Sequence, residues 1–518
     1  MLPRKKRIIQ VNTRIVAAMR FVALLIVSGL IFTVAARAEP TSEADLLRHI
    51  EILASDAFEG RKPGTAGENK TVNYIASQWS AAGLQAAGEQ GSWYTPVALA
   101  ERTPESYRIF VIDNNRGNTV RLPQDEIILR GRDASFRQLN MPLVLAGYAD
   151  GGSGGADVPV AGKLVFLPRN PPEDETGLPD YRDRKLQLIR NGAVGVITII
   201  EDEGLWPRYF RAFQRGATAL ADPENHAGLE GAISYDQFRK LLRPSGRDAE
   251  RLLLESGGFA AIALGMTADA VVETSVRDYV SHNVIGKIPG SDPQSGALLF
   301  LGHWDHFGIC RSEDPDDPER DRICNGAVDN ASGISLLIET ARRLVADRPE
   351  RDIYFLATTA EEKGLLGARA FVQAPPVALD NFVAVFNADT VALSDKRKQI
   401  AVVGLGETIL DGDIEIVAAQ EGREIDRSGK ADAYLRRQDG YVFLERDIPA
   451  YMITSAFADE DRLTAFINGP YHDVSDEVND SLLLAGAAAD ADFHVALGRY
   501  FGSTATYPGK ATSGGADN

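Results

Sequence analysis

Residues 297–306 read ALLFLGHWDH: an apolar run, a glycine, and then two histidines and an aspartate within four positions. A short continuous apolar run of this kind predicts a strand that is buried on both faces. Similar runs at 352–357 and 382–387 also come shortly before acidic residues. In an open α/β sheet, side chains that follow the strands meet outside their carboxyl ends. The stretch therefore predicts an α/β fold with a polar site at that edge.

The rest of the chain after residue 280 continues this alternation of strand-like and helix-like segments. Strands are predicted at 281–288, 297–302, 352–357, 382–387, 399–403 and 450–454. Helices are predicted at 331–345, 365–371 and 482–500. Such alternation is typical of a mixed, largely parallel sheet covered by helices.

Bulk properties restrict the partners and the compartment. The net charge of -18 argues against a nucleic-acid partner, because phosphate binding needs basic surfaces. A basic start, an apolar run at 21–36 and the small-x-small sequence Ala36-Arg37-Ala38 predict a secretory signal over residues 1–38. We therefore expect an exported protein, periplasmic or extracellular, with no stable membrane insertion after signal cleavage. An uncleaved N-terminal anchor is the alternative.

The length of 518 residues allows two or three domains. Short β-rich pieces separated by Gly and Pro fill residues 106–279, and we predict a mainly β insertion there. Residues 39–105 and 280–505 would then form one discontinuous domain that carries the polar site. The Gly/Ser/Thr-rich end, 506–518, is predicted to be a flexible tail.

The imidazole and carboxylate groups after the strands suit two metal ions. Asp305 lies two positions after His303, so in an extended chain both side chains point the same way. A zinc-bound imidazole usually donates its second N–H to a carboxylate, so we interpret His303 as a ligand and Asp305 as its partner. The other predicted ligands are Asp329, Glu362, Asp389 and His472. One zinc ion would take His303, Asp329 and Asp389, and the other Asp329, Glu362 and His472, which leaves each ion an open position.

Two residues beside the predicted ligands suit catalytic roles. Glu361 precedes the ligand Glu362, and in a metallohydrolase such a free carboxylate takes the proton of the attacking water. Tyr471 precedes His472 and is placed to donate to the oxyanion of a tetrahedral intermediate. The sequence therefore predicts metal-assisted hydrolysis.

Each of these residues also has a simpler interpretation when taken alone. Asp329 or Asn330 suits the N-cap of the helix that begins near residue 331. A lone histidine is more often a hydrogen-bonded core residue than a ligand, and His306 receives no role. Cys310 and Cys324 are expected to form a disulfide in an exported chain, with two unpaired thiols as the alternative.

Together, these segments resemble the secreted two-zinc aminopeptidases, a family related to glutamate carboxypeptidases and glutaminyl cyclases. The matching pieces are His303-x-Asp305, Gly326-Ala-x-Asp329-Asn330-x-Ser-Gly333, Glu361-Glu362-x-Gly364, Asn387-x-Asp389, Tyr471-His472 and the early segment 59–65. The resemblance implies a three-layer zinc exopeptidase fold with a parallel-centred, eight-stranded sheet. Residues 106–279 resemble a protease-associated domain. One departure is Gly440, which stands where relatives often have a histidine after Ser-Asp.

The expected function is therefore removal of N-terminal residues from peptides by a zinc-dependent aminopeptidase. Glutaminyl cyclase-like or carboxypeptidase activity on the same frame is the first alternative. A non-catalytic binding module is the second, although every predicted ligand position is filled. The sequence leaves the preferred side chain, the role of the insertion and the oligomeric state open.

Overall fold

The computed structural model describes residues 39–148, 159–170, 180–222, 226–258 and 260–509. The predicted signal segment, 1–38, and the last part of the predicted tail, 510–518, lie outside these residues. No helix in the described part of the chain combines the length and the apolar character needed to cross a bilayer.

The elements follow one another in an order that fits the predicted alternation. The helices are α1 (Glu43–Leu53), α2 (Ala66–Ala82), α3 (Tyr181–Arg190), α4 (Trp206–Gln214), α5 (Tyr235–Leu242), α6 (Ala249–Leu254), α7 (Gly333–Leu344), α8 (Leu366–Gln373), α9 (Asp411–Gln420), α10 (Tyr441–Leu444), α11 (Glu460–Ile467) and α12 (Leu484–Gly502). The first nine strands are β1 (Gln85–Ala86), β2 (Tyr94–Asp113), β3 (Thr119–Arg121), β4 (Ile127–Gly131), β5 (Ser135–Ala146), β6 (Leu164–Pro168), β7 (Gly195–Ile200), β8 (Ala217–Leu220) and β9 (Leu229–Ser234). The others are β10 (Ala261–Ile288), β11 (Ala297–His303), β12 (Gly308–Ile309), β13 (Ile323–Cys324), β14 (Asp352–Thr358), β15 (Phe382–Asn387), β16 (Gln399–Val403), β17 (Glu424–Ile425) and β18 (Ala450–Thr454).

The C-terminal half of the main sheet has the strand order β17-β16-β18-β15-β11-β14-β10. Its centre, β14-β11-β15-β18, is parallel, whereas β10 and β16 run antiparallel to their neighbours β14 and β18. Strand β1 pairs with β10 on the side away from β14, which brings this half to eight strands. The predicted α/β class with a mixed, largely parallel sheet is confirmed.

Helices cover both faces of this half of the sheet, because its central strands are apolar on both sides. Leu298 and Phe300 of β11 point into a core that α1, α2, α7, α9 and α12 share. Leu299 and Leu301 point to the opposite face, where Phe371 of α8 packs. Burying both faces explains why these strands read as continuous apolar runs rather than as an alternation.

The predicted insertion is built on two long strands that also belong to the rest of the sheet. Strands β2 and β10 pair from Tyr94↔Val284 to Asp113↔Met266. The predicted boundaries at 105/106 and 279/280 fall inside these strands, and the division into two domains stays a prediction. Strands β5, β6, β7 and β9 pair in parallel. Parallel neighbours need long crossover connections, and helices α3 and α4 lie in the connections from β6 to β7 and from β7 to β9, so the predicted β-rich insertion also contains helices.

The described start of the predicted tail lies against the core. Tyr507 is buried, and its ring packs edge-on against Phe501 of α12 at 5.0 Å between centroids. Tyr507 therefore packs against the folded chain, and a flexible tail over 506–518 stays a prediction for the residues beyond it.

Candidate metal centre

The predicted site residues lie where neighbouring parallel strands end. His303 is the last residue of β11, while Asp389 follows β15 by two positions. Glu361 and Glu362 form a short turn after β14. Because β14, β11 and β15 are adjacent and parallel, their carboxyl ends bring these groups together. Asp329 reaches the same place from the turn before α7.

The first predicted ligand group converges on one point. His303 Nε2 lies 3.3 Å from Asp329 Oδ1 and 3.6 Å from Asp389 Oδ1. The free carboxylate of Glu361 is close by, with Oε2 at 3.9 Å from His303 Nε2. The three predicted ligands and Glu361 therefore lie close together, and their roles stay a prediction.

The second predicted group lies on the other side of Asp329. His472 Nε2 lies 2.9 Å from Glu362 Oε2 and 3.3 Å from Asp329 Oδ2. Asp329 thus turns one carboxylate oxygen toward each group. His306, which received no role from the sequence, also reaches this group, with Nδ1 at 2.8 Å from Glu362 Oε1.

The arrangement of the donor atoms is explained better by bound metal ions than by hydrogen bonds between the side chains. His303, Asp329 and Asp389 offer atoms within 4.8 Å of one another, and so do His306, Asp329 and Glu362. His472 Nε2 is buried and close to two carboxylates, yet it makes no well-directed hydrogen bond with the described residues. Buried carboxylates that converge without such bonds are costly unless a cation compensates them, and mixed imidazole and carboxylate donors suit zinc.

The charges of the first group are strongly perturbed. Burial alone would raise the pKa of Asp329, but the close imidazoles of His303 and His472 hold that pKa well below its usual range. Burial would lower the pKa of His303, but Glu361, Asp329 and Asp389 together raise it well above its usual range. The pocket therefore attracts positive charge, whether protons or a metal.

The two adjacent glutamates differ in the same way as their predicted roles. Burial raises the pKa of Glu361 well above its usual range, and the neighbouring Glu362 adds to this effect. The pKa of Glu362 is lowered, because contacts with His306 and His472 outweigh burial and the charge of Asp329. A carboxylate with a raised pKa suits proton transfer near neutral pH, and one with a lowered pKa suits a ligand.

Asp305 contacts His303 through its backbone carbonyl group and not, as predicted, through its carboxylate. His303 Nδ1 lies 3.2 Å from the backbone carbonyl oxygen of Asp305, and 3.9 Å from its carboxylate. The carboxylate instead accepts the backbone N–H of Glu361 at 3.0 Å. Burial raises the pKa of Asp305 to about 7. Asp305 therefore orients His303 through its carbonyl group and the turn of Glu361 through its side chain.

Several turns at the site adopt backbone conformations that side chains rarely favour. Ala360, Thr390 and His472 have φ values of 51°, 54° and 61°. Each precedes, follows or is itself a predicted site residue, and strained positions of this kind cluster at functional sites. The peptide bond between Asp329 and Asn330 is cis.

Asn330 joins three of the loops that carry the site. Its amide nitrogen donates to the carbonyl oxygens of His303, at 3.2 Å, and Ala388, at 3.0 Å. Its side-chain oxygen accepts the N–H groups of Gly333 and Thr390. Of the two residues predicted as alternative caps of α7, Asn330 therefore makes the capping contact. The carboxylate of Asp329 makes no capping contact and faces the site.

Two buried residues far apart in sequence, neither of them a predicted site residue, hold the turn of Asp329. Asp476 accepts the N–H of Val328 at 2.9 Å and that of Asp329 at 3.0 Å. Arg61 is 1% exposed and donates to four backbone carbonyl groups. Those carbonyls belong to Leu53, Trp304, Asn325 and Gly326. Only the match of segment 59–65 to relatives pointed toward Arg61.

Cys310 and Cys324 form the predicted disulfide, which lies beside the turn of His472. Cys324 Sγ is 3.8 Å from the carbonyl oxygen of His472, and Arg311 pairs with Asp473. The loop closed by the disulfide therefore braces the turn that presents His472.

A cavity of about 450 Å³, including its open mouth, borders the first ligand group. One wall is apolar, and Tyr471, Arg437 and Gln438 supply polar groups to the rim. The apolar lining residues are Met452, Phe457, Leu463, Phe466 and Ile467. The cavity is the natural place for a substrate next to Glu361.

Fold and site together place two groups of possible metal ligands at the carboxyl edge of an α/β sheet. Residues 283–491 match the sequence profile of peptidase family M28. The matched region contains every predicted metal ligand.

Among curated relatives, a probable zinc metalloprotease of Pyrenophora teres f. teres (strain 0-1) is 36% identical over 111 residues, which are 21% of this chain and 23% of the relative. The alkaline phosphatase isozyme conversion protein of Escherichia coli (strain K12) is 31% identical over 121 residues, 22% of this chain and 34% of the relative. The chain thus spans about a quarter to a third of the length of these relatives.

Among solved structures, an aminopeptidase from Aneurinibacillus sp. strain AM-1 has a similar fold. Its TM-score is 0.50 at 17% sequence identity, and the match covers 89% of this chain and 94% of that chain. This likeness concerns the fold, including the part of the chain before residue 283.

Proposed function

We propose that this protein is a two-zinc aminopeptidase that hydrolyses the N-terminal residue of peptides. The observation that carries the proposal is the shared position of Asp329. One of its oxygens faces His303 and the other faces His472, so two ligand groups meet at a single carboxylate. Glu361 belongs to neither group but borders the cavity.

In this proposal His303, Asp329 and Asp389 hold one zinc ion, and Asp329, Glu362 and His472 hold the second. Bound zinc supplies Lewis-acid polarisation of the scissile carbonyl and lowers the pKa of the attacking water. Glu361 accepts the proton of that water and returns it to the leaving amine. Burial raises the pKa of Glu361 above its usual range, the direction that favours holding the proton until the amine leaves.

Tyr471 is proposed to donate a hydrogen bond to the oxyanion that develops on the scissile carbonyl. Burial and the nearby Asp329, Glu362 and Asp389 raise the pKa of Tyr471, which keeps the phenol protonated and able to donate. The ring stacks on His472 with 3.6 Å between centroids, so the hydroxyl is held in a fixed direction at the cavity.

The decisive experiment measures metal content and cleavage products together. We expect two equivalents of zinc and release of free amino acids from the N-terminus of unblocked peptides. The apolar wall of Met452, Phe457 and Phe466 predicts that leucine, methionine and phenylalanine are released faster than aspartate or lysine. Cleavage of N-blocked peptides at the C-terminus, or cyclisation of N-terminal glutamine by protein with one zinc ion, contradicts the proposal.

Carboxypeptidase action is the second candidate, because a guanidinium group stands at the cavity. Arg437 Nη2 lies 3.3 Å from the hydroxyl oxygen of Tyr471 and has no carboxylate partner among the described residues. Its guanidinium also lies over the rings of Tyr434 and Tyr471, at 5.5 and 5.9 Å from their centroids. A guanidinium beside the cavity without a carboxylate partner among the described residues suits recognition of a substrate carboxylate.

Replacing Arg437 with methionine tests this contact. For a tripeptide with a free C-terminus we expect KM to rise by about 10-fold, the effect of losing one charge-assisted hydrogen bond. KM for the same tripeptide with a C-terminal amide should change little, which makes the amide the matched control. Equal losses on both peptides contradict a carboxylate contact, and the position of the cleaved bond in wild-type protein separates the two exopeptidase classes.

We also propose export of the mature protein and a protease-associated-like role for residues 106–279. The Cys310–Cys324 disulfide supports export, because such bonds persist in oxidising compartments. The signal segment 1–38 that this proposal requires lies outside the described residues.

A further inference from the structure

His306 is a buried histidine at the second ligand group that the proposed two-zinc mechanism leaves without a task. Its side chain is fully buried, and its ring lies edge-on to Phe307 and His472. A side-chain carbon at Gly326 would stand 2.7 Å from the ring, so the absence of a side chain there makes room for it. The ring is thus packed in one orientation.

The two ring nitrogens of His306 have different surroundings. Nδ1 lies 2.8 Å from Glu362 Oε1 and 4.0 Å from Asp329 Oδ2. Nε2 is buried and has no hydrogen-bond partner among the described residues. One nitrogen of a neutral imidazole carries the proton, and the contacts decide which one it is.

A proton on Nδ1 agrees with the surroundings of both ring nitrogens. The Nδ1–H group then donates to Glu362 Oε1, and Nε2 is left as a bare acceptor. If Nδ1 were instead a metal ligand, Nε2 would carry a buried N–H without an acceptor, and unpaired donors are rarer in proteins than unpaired acceptors. A proton on Nδ1 therefore leaves only an acceptor without a partner, and this costs less than a buried donor without a partner.

We infer that His306 is a positioning residue that holds Glu362 for the second zinc ion, an inference that rests on the proposed two-zinc function. By donating to Oε1, His306 fixes the rotation of the carboxylate. Oε2 then faces His472 Nε2 at 2.9 Å, on the side where the second ion would bind. Hydrogen-bond partners of this kind set the orientation of metal ligands and contribute to affinity.

Two amide variants of His306 distinguish a role of Nδ1 as hydrogen-bond donor from a role of Nε2. In His306→Asn the amide nitrogen takes the place of Nδ1, and in His306→Gln it takes the place of Nε2. Zinc binding is measured by chelator competition, which gives a dissociation constant for each ion. We expect His306→Gln to weaken the second ion by about 10- to 100-fold. His306→Asn should stay within a few-fold of wild type, and the first ion should bind equally well in all three proteins.

A second measurement on the wild-type protein addresses direct ligation. X-ray absorption of the two-zinc protein should show one imidazole per zinc ion on average, from His303 and His472. A third imidazole, or a loss of the second ion that is as large in His306→Asn as in His306→Gln, overturns the inference for His306 alone. Wild-type protein that binds a single zinc ion overturns both this inference and the proposed two-zinc function.

Discussion

Replacing Glu361 with glutamine is expected to reduce kcat for peptide hydrolysis by about 100- to 10,000-fold, the usual contribution of a positioned general base. Both zinc ions should remain bound, because Glu361 belongs to neither ligand group. The amide has nearly the same shape as the carboxylate but cannot accept the proton of the attacking water. The measurement is kcat on an unblocked leucyl peptide, together with zinc content of the same sample.

The neighbouring substitution Glu362→Gln is the matched control. It makes the same chemical change one residue further, at a carboxylate that lies 2.9 Å from His472 Nε2. We expect it to weaken the second zinc ion as well as activity. Near-normal hydrolysis by Glu361→Gln with both ions bound, or loss of zinc from that variant, contradicts the assigned roles.

Removing the guanidinium of Arg61 is expected to lower the free energy of unfolding by about 3 kcal/mol or more. The substitution Arg61→Met removes the donor of the carbonyl oxygens of Leu53, Trp304 and Asn325, whereas that of Gly326 keeps the N–H of Ala331, and each such loss costs about 1 kcal/mol or more. Arg61→Lys should rescue only part of this loss, because a single ammonium group does not reproduce the planar set of five donors. Urea unfolding followed by circular dichroism measures the change.

The control for Arg61 is an arginine on the surface. Arg427 is largely exposed and pairs with Glu415 at 2.7 Å, so Arg427→Met should change the free energy of unfolding by less than about 1 kcal/mol. An Arg61→Met variant as stable as Arg427→Met would show that the four carbonyl contacts contribute little.

The parts of the fold that the sequence predicted well are those with local causes. Strands β15, β16 and β18 have the predicted bounds, because each is a short apolar run buried on both faces. The site residues could also be predicted from the sequence, since each follows such a run or a turn. The distances between their side chains could not be predicted, because these distances depend on which strands are neighbours in the sheet.

The features that the sequence did not predict depend on contacts between distant residues. Strand β10 was predicted only at its end, 281–288, because its first part is half exposed and pairs with β2 across more than 150 positions. Arg61 looks like an ordinary loop cation until its partners at 325 and 326 are known. Asp476 resembles a surface acid, and His306 resembles a spare histidine, until the turn of Asp329 and the carboxylate of Glu362 are placed beside them.

The turn that carries Asp329 is held by Arg61 from one side and by Asp476 from the other. During synthesis, a ribosome that has reached residue 450 has already made His303, Asp329, Glu362 and Asp389, but neither His472 nor Asp476. The nascent chain at that stage holds most of the proposed zinc-binding groups without the contacts that align them. Metal loading of the proposed centre would therefore wait until residues 472–476 are made, and a chain truncated before residue 472 should leave the ribosome without a working centre.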